Sequence, residues 1–85
     1  MKDETATPPA GPLIVRTLDL RGLSCPLPVL MTSKALRMAA PGEAVEVFAT
    51  DPLASEDFSD LCRAKGHRLV SFRAEGGEFR FVIER

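Results

Sequence analysis

A chain of 85 residues, 45% of them hydrophobic, is long enough for one small domain with its own core and too short for a second. With 11 basic residues against 12 acidic ones and a formal charge of -1, it has no net field to hold nucleic acid or an anionic membrane. Its two cysteines, Cys25 and Cys62, have neither CxxC spacing nor the density of a secreted disulfide framework, so free thiols in a reducing cytoplasm are expected.

Residues 1–12 mix charge, threonine, proline and glycine without periodicity and read as a flexible leader, with no apolar run to serve as a signal peptide. The composition then turns apolar. Ile14, Arg16, Leu18 and Leu20 share one parity, which predicts a first strand around Val15 to Asp19 with Leu18 and Leu20 facing the core. Gly22 loosens the chain before a helix predicted over roughly Pro26 to Ala39. Leu27, Leu30, Met31, Lys34, Ala35 and Met38 recur at helical spacing there, and they predict the buried stripe. Pro41 and Gly42 end that helix.

A second strand is predicted over Glu43 to Thr50, with Val45, Val47 and Ala49 inward and Glu46 and Phe48 outward. Asp51 and Pro52 suit the N-cap and first position of a second helix, with Ser55 as a competing cap. Phe58, Leu61 and Cys62 form its apolar stripe, and Gly66 stops it. Acidic residues at its start and Arg63 and Lys65 at its end suit the dipole, a stabilising arrangement that requires no binding role.

His67 to Phe72 and Glu78 to Glu84 read as strands joined through Gly76-Gly77, an antiparallel hairpin. The expected fold is therefore α/β: a two-layer sandwich of order β-α-β-α-β-β, with both helices on one face of a four-stranded sheet. The opposite face is expected to alternate polar and apolar groups, including some of Arg16, Glu46, Phe48, Ser71, Arg80 and Val82.

The chemistry concentrates in Leu20-Arg21-Gly22-Leu23-Ser24-Cys25-Pro26-Leu27-Pro28. A cysteine at a helix mouth meets unpaired amide N-H groups and the positive end of the dipole, which favour thiolate. These positions predict a Cys25 thiol titrating below the ordinary value of about 8.5. The flanking prolines restrict the backbone, so a partner need not order a loose loop. Cys62, on an apolar stripe, reads as a structural core residue. His67, the lone histidine, reads as a turn or strand-edge residue, and no ligand spacing suggests a metal site.

Cys25-Pro26-Leu27-Pro28, preceded by Leu18-Asp19-Leu20-Arg21-Gly22-Leu23, resembles the signature of the TusA/SirA-like sulfur carriers, over about Leu18 to Arg85. The resemblance implies the same two-layer fold over a domain spanning 13–85, and a persulfide held transiently on Cys25. It needs no cofactor or metal. Asp19, Arg21, Gly22, Pro26 and Pro28 are the supporting positions. The implied partners are a sulfur-donor protein, such as a cysteine desulfurase or rhodanese, and a downstream acceptor in tRNA thiolation or another sulfur pathway. Direct nucleic-acid binding and membrane insertion are not expected. On this reading the chain is a cytoplasmic relay substrate with sulfurtransferase-like activity rather than an independent catalyst; the alternative is a nonenzymatic regulatory or protein-interaction domain.

Overall fold

The computed structural model describes residues 12–85, so the expected leader lies outside the described residues except for Pro12. Strands β1 (Leu13–Leu20), β2 (Glu43–Ala49), β3 (Arg68–Glu75) and β4 (Glu78–Glu84) alternate with helices α1 (Leu27–Met38) and α2 (Ala54–Lys65) in the expected β-α-β-α-β-β order. The sheet runs β1-β2-β4-β3; β1 is parallel to β2, and the other two pairings are antiparallel. Both helices cover one face. No helix among the described residues is long and apolar enough to cross a membrane.

The core lies between that sheet face and the helices. Val45, Val47 and Ala49 of β2 are fully buried, as their parity predicts, with Phe81 and Ile83 of β4 beside them. Phe58 of α2 meets Phe81 at a ring-centroid distance of 4.5 Å in a tilted arrangement, a favourable geometry for two aromatic quadrupoles. Leu61 and Cys62 complete the α2 stripe as expected. Gly76 and Gly77 both take positive φ between the paired Glu75 and Glu78, the requirement of a two-residue hairpin turn.

Helix α1 is found where expected but turned about its axis. Its buried residues are Pro28, Thr32, Ala35 and Leu36, while Leu27, Leu30, Met31 and Met38 of the predicted stripe are exposed, Met38 at 70%. Thr32 and Ala35 are small, so the helix can lie close to the sheet, and the bulkier apolar side chains are left outside. The spacing identified a helix, but summed hydrophobicity did not set its facing.

Two other expectations change on the sheet. Arg16 lies opposite Val45 on the helix side, the parity it shares with Leu18 and Leu20, instead of on the open face, while a bulge between Ile14 and Arg16 leaves Val15 unpaired and takes Ile14 off that parity, opposite Ala44. Val82 does lie on the open face, level with Glu46, but it is buried. Its cross-strand partner Glu46 accepts hydrogen bonds from Thr17 Oγ1 at 3.0 Å and from Arg80 Nε at 2.6 Å.

Candidate functional site

Because β1 and β2 run parallel, their C-terminal ends lie side by side, with Leu20 opposite Ala49. The segments that follow must therefore leave the sheet together, as at the carboxyl edge of other parallel α/β units. The first turns at once: Leu23 N-H donates to Leu20 O at 3.2 Å, and Gly22 takes φ 84° at the third position, where such a turn calls for glycine. Gly22 N-H also donates to Thr50 Oγ1 at 2.9 Å, tying the two segments.

Asp51 makes the second tie. Its Oδ2 accepts from the Cys25 N-H at 2.6 Å and its Oδ1 from the Leu53 N-H at 3.1 Å. The carboxylate expected to cap α2 instead spans the two loops. Leu53 occupies the N-cap position without a side-chain cap, and Pro52 lies in the preceding turn. Asp57, on the first turn of α2, completes the cluster. The Cys25 sulfur and a carboxylate oxygen from each of Asp51 and Asp57 all lie within 4.8 Å of one another.

This geometry reverses the expected electrostatics of Cys25. The thiol is exposed and free, yet its pKa is raised, first by the Asp57 carboxylate that accepts its hydrogen bond, then by desolvation and by the charges of Asp57 and Asp51. The helix mouth offers little to offset them. Pro26 and Pro28 have no N-H, the Leu27 N-H goes to Ser24 O at 2.9 Å, and that of Leu30 to Pro26 O at 3.1 Å. Cys25 itself precedes the N-cap residue Pro26, across a cis peptide bond. The prolines that order the loop thus remove two of the donors that a thiolate would use.

The Arg21 guanidinium is engaged by carboxylates other than those of this cluster. Its Nε and Nη2 donate to the two oxygens of Asp19 at 2.8 and 2.9 Å, and Nη1 lies 3.7 Å from Glu78. The Arg21 N-H also donates to Asp19 at 3.3 Å, so Asp19 closes the turn as its place at the strand end suggests. These bonds lower the Asp19 pKa to about 2 and raise that of Arg21. Of the expected supporting set, Gly22, Pro26 and Pro28 shape the loop, and Asp19 and Arg21 brace it.

Cys62 is buried on α2, its thiol pKa raised by desolvation. His67 follows α2, with its pKa lowered by burial and by Arg85 and Lys65. The residues that sequence reasoning missed are Thr50, Asp51 and Asp57. Their signal was topological: once β1 and β2 are taken as parallel neighbours, the start of α2 must stand beside the Cys25 loop.

A family model described as Sulfurtransferase TusA matches residues 16–85. The sulfur carrier protein TusA of Allochromatium vinosum is 40% identical over 68 residues, which cover 80% of this chain and 90% of that protein. A putative sulfur carrier protein of Neisseria meningitidis serogroup A is 43% identical over 68 residues, covering 80% and 92%. Among solved structures, a SirA-like protein from Desulfitobacterium hafniense superposes with a TM-score of 0.72 at 21% identity, over 81% of this chain and 95% of that one. That likeness bears on the fold alone. Family model and sequence relatives agree: the chain belongs to the TusA family, whose members carry sulfur on a cysteine and relay it between proteins.

Proposed function

We propose that the domain over residues 13–85 carries sulfane sulfur as a persulfide on Cys25, loaded by a donor protein such as a cysteine desulfurase or rhodanese and passed to an acceptor protein. The observation that carries this reading is the contrast between the two thiols. Cys25 is exposed on a loop held by Asp51 and Thr50, whereas Cys62 is buried in the core. An acceptor's sulfur must come into bonding contact with the carrier's, and only an exposed thiol allows that without unfolding. The persulfide is a transient covalent state that needs no resident cofactor, and the protein serves as substrate to the enzymes on either side.

The test is to incubate the reduced protein with a cysteine desulfurase and cysteine and to measure intact mass. A gain of about 32 Da, one sulfur atom, should map to the peptide containing Cys25. Cys25→Ser should fold and take up none. Loading that persists in the serine variant, or maps to Cys62, would refute the assignment.

A further inference from the structure

Moving a sulfane sulfur requires moving a proton, and the one cation of the loop carrying Cys25, Arg21, is already paired with carboxylates. The thiol faces two carboxylates, Asp57 from α2 and Asp51 from the loop before it, while the nearby Arg21 is engaged by Asp19 and Glu78. The two carboxylates are not equivalent. Each oxygen of Asp51 accepts a backbone N-H, which fits that residue to holding the loop. Asp57 stands on the first turn of α2 with a carboxylate oxygen within 4.8 Å of the Cys25 sulfur.

We propose that Asp57 is a catalytic residue of sulfur transfer, taking the Cys25 proton as the sulfur attacks and returning it to the thiolate that leaves. The proposal rests on Cys25 being the carrier. In loading, Cys25 Sγ attacks the outer sulfur of the donor's persulfide. The bond between Sγ and that sulfur forms as the donor's own S-S bond breaks, and its electron pair departs on the donor sulfur. The proton passes from Sγ to an Asp57 oxygen and on to the departing thiolate. The sum is Cys25-SH plus donor-S-SH giving Cys25-S-SH plus donor-SH, with no external oxidant or reductant. Unloading runs the same path with Cys25 as the leaving sulfur, so one carboxylate serves both directions.

Between encounters the same contact keeps Cys25 protonated and therefore slow toward small electrophiles. Proton release is thereby coupled to a partner whose persulfide has been brought to the loop. The two roles separate in Asp57→Asn, which keeps the side chain's size and loses its basicity.

The experiment compares Asp57→Asn and Asp57→Glu with the unaltered full chain in a Cys62→Ser background. Iodoacetamide alkylation of Cys25 is measured beside single-turnover loading from a desulfurase charged with labelled sulfur, over a range of carrier concentrations. In Asp57→Asn, alkylation at neutral pH should rise several-fold, since the group that suppresses thiolate is gone. The loading rate at saturating carrier should fall about a hundredfold or more, the usual range for a lost acid-base group, with half-saturation unchanged. Asp57→Glu should recover much of the loading rate. Loading that rises in step with alkylation, or a defect confined to half-saturation, would overturn the proposal. Absence of label on Cys25 in the unaltered chain would refute the carrier assignment instead, so the two failures are distinguishable.

Discussion

Asp51→Ala should loosen the Cys25 loop and destabilise the whole domain measurably. The substitution deletes two hydrogen bonds from backbone N-H groups, Cys25 at 2.6 Å and Leu53 at 3.1 Å, to a charged acceptor. Bonds to charged groups contribute about 1.5–3 kcal/mol each where water is excluded. Here water can replace the carboxylate at both amides, so a combined loss of about 1.5 kcal/mol is expected. In a domain of this size that lowers Tm by about 6–12 °C. Asp51→Asn, which retains one carbonyl acceptor, should lose roughly half as much. Thermal unfolding by circular dichroism measures stability, and intact-mass loading well below both midpoints measures function. Loading should fall in the alanine variant because Cys25 is no longer held toward the partner. A Tm within about 1 °C of the parent, or full loading in the folded alanine variant, would show that the carboxylate does not hold the loop.

Cys62→Ser should preserve loading while lowering stability by about 1–3 kcal/mol, because it puts a hydroxyl in the core at the α2 stripe; abolished loading in folded protein would instead make Cys62 a relay thiol. Thr32→Val should raise stability by about 1 kcal/mol, since the Thr32 hydroxyl is fully buried with no partner among the described residues; an unchanged or lower Tm would refute this. Alkylation of Cys25 in the Cys62→Ser background should reach half its limiting rate at a pH above that of an unstructured cysteine peptide, and a midpoint below the peptide's would refute the acidic environment assigned to the thiol. The Asp19 carboxyl titrates at about 2 against an ordinary 3.8, so its brace with Arg21 contributes fully above that ordinary value and is lost as pH falls toward 2; in Asp19→Asn the acid-unfolding profile should lose this component, and an unchanged profile would refute it.

The fold was legible because its signals agree across levels. The alternation in β2 and β4, the Gly76-Gly77 turn and the Phe58-Leu61-Cys62 stripe each call for one element, and the elements fit one architecture. The facing of α1 was not legible, because two stripes compete there and the one that packs is built from Pro28, Thr32, Ala35 and Leu36, whose small members carry little hydrophobic weight. The bulge at Val15 was hidden for a related reason: a single unpaired residue reverses the parity before it without altering the composition. Cys25 could be singled out by its motif, but its electrostatics could not, because Asp51 and Asp57 reach it only through the pairing of β1 with β2. Local reasoning assigned Asp51 to a helix cap and Asp57 to a helix dipole, both ordinary uses of such residues, and neither includes a neighbour brought in by the sheet.

Pro26 has one more consequence, for what Cys25 does not become. A cysteine oxidised to sulfenic acid can be attacked by the backbone nitrogen of the residue that follows, closing a five-membered sulfenamide and expelling water. Ring closure requires that nitrogen to give up a hydrogen. In this chain the nitrogen belongs to Pro26 and has none to give. The residue that shapes the loop thus closes one oxidative exit from the unloaded thiol: a Cys25 sulfenic acid cannot cyclise onto its own backbone and is left for a second thiol to reduce.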